Sequence, residues 1–252
     1  MPESPIISFK GVRKAFGTKV VYEDCTLDVY PGETLTIIGG SGTGKSVLLK
    51  MLTGLLTVDA GNITAFGQEV TTLTERQLLP LRKRVAMLFQ SGALFDSLTV
   101  ADNIKFPLRE HAWGTEEEMD ARVAEVLGMV GMPNTQRLKP SELSGGMRKR
   151  VGLARSIAIK PDVILYDEPT TGLDPINIRR INGLVLGLQK ALGVTSIVVT
   201  HDMDTVFTVS DRVAMLHERR IAFTGTLEET RAAPMPWLQS FIQGGRGVLQ
   251  DG

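Results

Sequence analysis

A chain of 252 residues is long enough to bury a large core as one domain or as two closely joined lobes. Its 28 lysines and arginines balance 28 aspartates and glutamates, so it lacks the long-range positive field of a nucleic-acid-binding protein, and we expect no nucleic-acid partner. One cysteine excludes an internal disulfide, and the lack of a signal-peptide layout or of an apolar run near ~18 residues predicts a soluble, cytosolic chain.

The first part of the chain alternates short apolar stretches with turns. Residues 6–9, 20–22 and 27–29 are predicted to be antiparallel strands, and Pro31 and Gly32 mark the turn that follows them. Later strands are predicted near Ile63 and over residues 85–89, with a polar segment at residues 71–84 between them.

A glycine-rich loop follows the apolar run 35–38 and precedes a helical pattern. Glycines let the backbone curl so that successive N–H groups point inward, and the N-terminus of the next helix favours phosphate. The spacing G-x-x-x-x-G-K-S therefore predicts a phosphate-binding loop, with the lysine on the β and γ phosphates and the serine on magnesium. A plain Gly/Ser turn is the alternative, which the strand and helix around the loop disfavour. The predicted contacts are Gly39, Gly40, Ser41, Gly42, Thr43, Gly44, Lys45 and Ser46.

Helices are predicted in the middle of the chain, from about residue 91 to 160. Thr115 and Glu118 match a capping box for a helix that runs to about Val130, and Ser144 is a predicted cap for a second helix. Helical spacing places one set of residues of this second helix on a single face, whereas a set of basic residues lies outside that face. The shared face carries Met147, Val151, Ala154 and Ala158, and the basic set is Arg148, Lys149 and Arg150.

The last third returns to alternating strands and helices. Strands over residues 163–166 and 196–199 flank a helix from Pro175 to about Leu192, a pattern typical of a parallel sheet covered on both faces. Asp167 and Glu168 end the first strand, at the sheet edge where we expect the phosphate loop. Asp167 is predicted to hold the Mg²⁺ shell and Glu168 to orient and deprotonate the attacking water. A solvated acidic pair is the alternative.

Further motifs identify a family. Residues 143–147, Leu-Ser-Gly-Gly-Met, resemble the signature of the ATP-binding cassette, and Gln90, residues 171–175 and His201 stand where that family places its Q-loop, D-loop and H-loop. The resemblance covers roughly residues 6–230. It implies an α/β fold: a P-loop nucleotide-binding domain with a RecA-like parallel sheet core, an N-terminal antiparallel β subdomain and a helical subdomain at about residues 91–160. This domain would span residues 1–235, and a C-terminal tail residues 236–252.

The resemblance also implies roles for individual residues. Two chains would form a homodimer that sandwiches two ATP molecules with Mg²⁺, and the signature of one chain would bind the γ-phosphate on the other. Glu168, His201 and Gln90 are the implied catalytic residues, and Ser46, Gln90 and Asp167 the implied metal ligands. The remaining implied nucleotide contacts are Ser144, Gly145, Gly146, Asp174, which would cross the dimer interface, and Phe16, which would stack on adenine unless it is a plain core residue.

One departure narrows the subfamily. Met147 stands where most cassette ATPases have glutamine. Together with residues 89–98, this resembles the ATPase subunit of the lipid transporters that work with MCE proteins, the type that maintains lipid asymmetry. The resemblance implies an integral membrane permease contacted around residues 90–103, a periplasmic lipid-binding MCE protein, a STAS-domain subunit, and a peripheral position on the cytoplasmic side of the inner membrane.

Other functions remain open at this point. An ATPase of a small-solute importer would share every catalytic residue. A DNA-repair or chromosome-organising cassette would need a coiled coil or zinc module, which the sequence lacks, and a small-molecule kinase would not need the signature or His201. The tail carries an apolar stripe that would pack either on its own domain or, through an arm at residues 244–247, on a neighbouring subunit. The stripe is formed by Trp237, Leu238, Phe241 and Ile242.

Overall fold

The computed structural model describes residues 4–244. The described chain divides into two compact units, one made of residues 4–72 together with residues 199–244, the other of residues 73–198. Among the described residues, no helix combines the length and apolarity that crossing a bilayer requires.

The first unit contains a mixed sheet. Its strands are β1 (Ile7–Phe16), β2 (Lys19–Val29), β3 (Thr34–Ile38), β4 (Ala60–Ala65), β5 (Gln68–Glu69), β9 (Arg212–His217) and β10 (Arg220–Thr226). They run in the order β5-β4-β1-β2-β10-β9-β3. β1 pairs antiparallel with β2 and with β4, whereas β3 and β9 are parallel.

The antiparallel β region was predicted, but with one strand too many. The stretches at residues 20–22 and 27–29 are the two ends of β2. Glu23 and Asp24 are exposed and Cys25 is buried, so the polar residues between the stretches continue the extended chain on its solvent face.

Helices α1 (Lys45–Leu52), α7 (Met203–Val209), α8 (Leu227–Ala232) and α9 (Pro236–Ile242) complete the first unit. Leu238 of α9 is fully buried in a cluster with Ile38, Val206 and Met215, and Trp237 packs against that cluster. The tail helix thus packs on its own unit, one of the two alternatives. Of the arm expected at residues 244–247, only Gly244 lies within the described residues.

The second unit has strands β6 (Val85–Leu88), β7 (Val163–Asp167) and β8 (Thr195–Val199), in the order β8-β7-β6. β6 and β7 are parallel, and Val85 pairs with Val163. All five residues of β7 and of β8 are buried, as the continuous apolar sequence predicts for a parallel sheet.

Five helices belong to the second unit: α2 (Glu75–Arg84), α3 (Val100–Glu110), α4 (Glu116–Met129), α5 (Gly145–Ala158) and α6 (Pro175–Leu192). α4, α5 and α6 match the predicted helices. α2 was not predicted, and its residues were assigned only to a polar segment. Helical periodicity is weak there, because just Leu78 and Leu81 are buried and Pro80 interrupts the pattern. Its one clear signal is the capping box formed by Thr74 and Gln77.

The predicted faces of α5 are only partly correct. Val151, Ala154 and Ala158 are fully buried, but Met147 is only half-buried. Lys149, predicted to lie off the buried face, is itself buried. Its burial is possible because its ammonium donates hydrogen bonds to the backbone carbonyl oxygens of Glu168 and Thr171.

Candidate active site

The phosphate loop connects β3 to α1 in a conformation that requires glycine. Gly42 and Gly44 have φ angles of +72° and +108°, a region that disfavours residues with a Cβ. A Cβ on Gly44 would lie 2.2 Å from Cγ1 of Val21. The hydroxyl of Tyr22 donates to the carbonyl oxygen of Gly44 at 2.9 Å. β2 therefore packs against the phosphate loop and leaves no space for a side chain at position 44.

Lys45 opens α1 and lies across the loop. Its side chain is 6 % exposed, and Nζ donates to the carbonyl oxygens of Gly39 and Gly40 at 2.9 and 3.0 Å. The hydroxyl of Thr43 donates to Gly40 at 2.8 Å and tightens the curl. A curled backbone, an ammonium group inside it and a helix N-terminus together fit a polyphosphate.

His201 shares a cleft of about 600 Å³ with the phosphate loop. Gly40, Ser41 and Thr43 line the cleft next to His201, and Trp237 lines it from α9. The first unit thus brings the predicted H-loop histidine to the predicted phosphate loop.

Phe16 ends β1 with 46 % of its surface exposed, so it is not a core side chain. The Nζ of Lys14 lies 5.3 Å from the centre of its ring, and an ion pair of 3.0 Å with Asp59 holds that ammonium in place. The ring has the exposure that stacking on a base requires.

Asp167 and Glu168 follow each other at the end of β7 in different environments. Asp167 is 8 % exposed, whereas Glu168 is half-buried. Glu168 has φ of +50°, and a left-handed backbone costs a residue with a side chain roughly 1–2 kcal/mol. The hydroxyl of Thr171 donates to Oε2 of Glu168 at 2.9 Å and fixes the carboxylate. Such local strain is typical of functional sites.

Lys149 on α5 reaches the same turn, a contact that the sequence prediction missed. Its Nζ donates to the carbonyl oxygens of Thr171 at 2.6 Å and Glu168 at 3.4 Å. Burial lowers the pKa of Lys149, and the nearby Glu168 carboxylate opposes that shift. Although Lys149 lies one turn before the buried Leu153, the face chosen from the sequence excluded it, and carbonyl acceptors leave no mark in the sequence.

The signature loop and the D-loop meet within the second unit. Ser144 caps α5, its Oγ accepting from the backbone N–H of Met147 at 3.3 Å. Asp174 caps α6, and hydrogen bonds from Asn177 hold the pKa of its carboxyl below the usual value. A Cβ on Gly146 would lie 2.9 Å from the Asn177 side chain, so glycine lets the two loops touch.

Gln90 is exposed, two residues beyond the end of β6. The loop after it rests on α5, since a Cβ on Gly92 would lie 3.0 Å from the carbonyl oxygen of Arg148. Arg155 donates to the carbonyl oxygens of Gly92 and Ala93, at 2.9 Å each. Burial lowers the pKa of Arg155. The contact between Arg155 and this loop is a second one that the sequence prediction missed.

An apolar cleft of about 440 Å³ lies beside this loop. Phe95 and Phe106, 43 % and 41 % exposed, face it with ring centres 4.7 Å apart. The buried amide of Asn103 braces the loop by bonding both the N–H and the carbonyl of Phe95, at 2.8 and 3.1 Å. Two neighbouring exposed phenylalanines, Phe95 on the braced loop and Phe106 on α3, are suited to contact another protein.

Each unit therefore assembles one set of predicted residues. The first unit contains the phosphate loop, Phe16 and His201; the second contains Gln90, the signature loop and the acidic residues of β7. Serine, glutamine and carboxylate oxygens are the hard donors that Mg²⁺ prefers, so Ser46, Gln90 and Asp167 fit that ion chemically.

Comparison with known proteins identifies the family of the chain. Residues 22–171 match the family described as ABC transporter. The chain is 40 % identical over 239 residues to the intermembrane phospholipid transport system ATP-binding protein MlaF of Haemophilus influenzae, covering 95 % of this chain and 90 % of the relative. The Escherichia coli K12 protein of that name is 37 % identical, covering 95 % and 89 %. The probable ribonucleotide transport ATP-binding protein mkl of Mycobacterium leprae is 39 % identical over 246 residues, covering 98 % and 71 %.

Solved structures share the fold. CbiO1 from Clostridium perfringens, part of the transporter complex cbiONQ, superposes with a TM-score of 0.84 at 29 % identity, covering 92 % of each chain. The ATP-binding cassette MJ0796, in a dimeric post-hydrolysis state with ADP and Pi, superposes with a TM-score of 0.81 at 29 % identity, covering 88 % of this chain and 98 % of that one. The predicted α/β cassette fold is confirmed.

Proposed function

This chain belongs to the ABC transporter family as an ATPase that uses ATP and Mg²⁺, and we propose that it drives a complex that moves phospholipids between the inner and outer membranes together with an MCE protein. The supporting observation is its similarity to the MlaF proteins over 95 % of its length. Met147 in the signature is a second point in favour.

The residues at the end of β7 carry the proposed hydrolysis. Glu168 takes a proton from the attacking water, a role for which a positioned base typically contributes ~10²–10⁴ in rate. Lys45 and the N–H groups of the loop bind the β and γ phosphates, and His201 holds the γ-phosphate. Ser46, Asp167 and Gln90 would hold Mg²⁺, which would neutralise charge on the phosphates.

Two copies of the chain are proposed to share two nucleotides. Ser144 and Gly145 are exposed at the N-terminus of α5, where N–H groups and the helix dipole favour an anion. We assign that anion as the γ-phosphate bound by the other subunit. Asp174, next to the signature through Asn177, would face the same interface.

The aromatic cleft formed by Phe95 and Phe106 is the proposed contact for the permease. It is apolar, open and adjacent to Gln90, so a short helix from a membrane subunit could fill it and act on the hydrolytic site. In the proposed complex this chain is peripheral on the cytoplasmic side of the inner membrane, and the complex includes a STAS-domain subunit.

Purification of the tagged full chain from its native membrane tests the transport function. We expect an integral permease and an MCE protein to copurify, and the reconstituted complex to move fluorescent phospholipid between vesicles only with ATP. Glu168→Gln should bind ATP with unchanged affinity yet stop both hydrolysis and transfer, whereas Glu117→Gln, an exposed change on α4, should alter neither. Lipid movement that persists without hydrolysis would contradict the proposal.

A mixed dimer tests the shared sites. When one subunit carries Lys45→Ala and the other Ser144→Arg, both changes fall on one composite site and leave the second intact. In a nucleotide-trapping measurement, the mixed dimer should then trap about half as much nucleotide as the wild-type dimer. Equal damage to both sites would show that each subunit uses its own signature.

Ribonucleotide transport is the second candidate, favoured by the 39 % identity to the mycobacterial mkl protein. The same purification separates the two functions. A permease whose ATP hydrolysis is stimulated by ribonucleotides, without phospholipid transfer, would favour this small-solute alternative.

A further inference from the structure

The buried ammonium of Lys149 has no role in the chemistry proposed so far. Lys149 is 5 % exposed, and a buried ammonium is costly unless hydrogen bonds replace its water. Its Nζ donates to the carbonyl oxygens of Thr171 and Glu168, at 2.6 and 3.4 Å. Both acceptors belong to residues 168–171, the turn that follows β7.

This turn directs the Glu168 carboxylate. Glu168 has φ of +50°, and the N–H of Thr171 donates to its carbonyl oxygen at 3.3 Å. The Thr171 hydroxyl holds Oε2 at 2.9 Å. Lys149 therefore binds the turn through two carbonyls, and the turn binds the carboxylate through Thr171. A glutamate keeps a left-handed backbone conformation only where the surrounding residues hold it in place.

We propose that Lys149 is a positioning residue for ATP hydrolysis, whose ammonium fixes the turn 168–171 and thereby the direction of the Glu168 carboxylate. The proposal rests on the role of Glu168 as the base. Because Lys149 donates to the backbone carbonyl of Glu168, the proposal assigns it the position of the turn and not proton transfer. Because Lys149 lies on α5, the same contact ties the helix that begins after Ser144 to the catalytic turn of its own chain.

Lys149→Gln in the full chain, purified with its membrane partners, tests this role. The amide is shorter and uncharged, so it cannot reach both carbonyls. We expect kcat to fall about ten- to hundredfold, the loss that a misplacement of about 1 Å causes, with the KM for ATP nearly unchanged. Trapping of ADP with vanadate should fall in parallel while ATP affinity in an equilibrium titration stays constant. Lys149→Arg keeps a charged donor and should recover most of kcat.

Arg122 provides the matched control. It is also a buried cation, 3 % exposed, and donates to the carbonyl oxygens of Ile157 and Ala158 at the other end of α5, at 2.7 and 3.0 Å. Arg122→Gln therefore removes a buried cation of α4 that contacts the same helix, α5, without touching the turn. We expect a lower Tm and an unchanged kcat.

A second variant distinguishes an effect on the position of the Glu168 carboxylate from an effect on the stability of the fold. Thr171→Val removes the hydroxyl that holds Glu168, and its loss of kcat should combine less than additively with that of Lys149→Gln, because both act on one turn. Lys149→Met, which keeps nearly the same length without the charge, serves if the glutamine variant does not fold. Wild-type kcat in Lys149→Gln or Lys149→Met, a matching loss in Arg122→Gln, or strictly additive losses would overturn the proposal. A wild-type complex without ATPase activity would instead contradict the proposed function.

Discussion

The Asn177 amide donates to the Asp174 carboxylate at 2.5 Å, and the Asn177 side chain lies directly against Gly146 of the signature. Gly146→Ala would place a methyl group 2.9 Å from this side chain and force it to move. We expect ATP turnover in the assembled complex to fall about tenfold or more, in line with the sensitivity of catalysis to small displacements.

Gly187→Ala is the control for that change. Gly187 lies on α6 and a Cβ there meets nothing within 4 Å, so alanine should stabilise the helix by about 0.5–1 kcal/mol without altering turnover. Equal turnover in the two alanine variants would show that contact between the two loops is unimportant.

The phosphate loop permits a matched comparison of two glycines. Gly44→Ala combines strain at φ of +108° with a contact of 2.2 Å to Val21, whereas Gly42→Ala has strain alone, at φ of +72°. ATP affinity from fluorescence titration should therefore fall much further for Gly44→Ala. Equal losses would mean that packing on β2 does not shape the loop.

The tail helix contributes to the stability of the first unit. Leu238→Ala empties a fully buried position among Ile38, Val206 and Met215, and we expect it to lower the free energy of unfolding by about 2–5 kcal/mol in a urea titration. Leu55→Ala, at a leucine that is 52 % exposed, should change it by less than about 0.5 kcal/mol. Similar small effects at both positions would show that α9 does not secure this core.

Cys25 should be unreactive in the folded chain. Burial, helped by Asp24, raises the pKa of its thiol from 9.0 to about 12. At pH 8 the thiolate that attacks Ellman's reagent is therefore scarce, and we expect no labelling until guanidinium unfolds the chain and one thiol reacts.

The raised pKa of the Cys25 thiol also makes the folded chain less stable at high pH. A raised folded pKa means that the contribution of Cys25 to stability is complete below pH 9 and is lost as the pH rises towards 12. Cys25→Ala should flatten the fall of Tm over that range. Rapid labelling of the native chain at pH 8 would contradict both expectations.

Local patterns in the sequence predicted the elements that depend on local chemistry. The helix beginning at Pro175 ends at Leu192 as expected, because Asp174 caps its start and Gly193 adopts the left-handed conformation at its end. The capping box at Thr115 likewise locates the start of α4. The role of His201 came from motif order, since a single histidine has no distinctive pattern.

Contacts with backbone carbonyls were not predictable. Lys149 bonds the carbonyl of Thr171, 22 positions away, and Arg155 bonds that of Gly92, 63 positions away. Every residue has a carbonyl oxygen, so the acceptor leaves no mark in the sequence. Only the folded chain shows that these two cations bond the turn after β7 and the loop after Gln90.

The loop after Gln90 touches α5 without an intervening side chain, since a Cβ on Gly152 would lie 3.0 Å from the carbonyl oxygen of Gly92. Protein interiors are close-packed, so the loop has no free space to enter at Gly152, and the Arg155 side chain ties it to the same helix. We therefore expect a displacement of the loop at Phe95 to shift α5 with it. The 14 residues of α5 span about 21 Å and begin directly after Ser144, so such a shift would reach the signature loop.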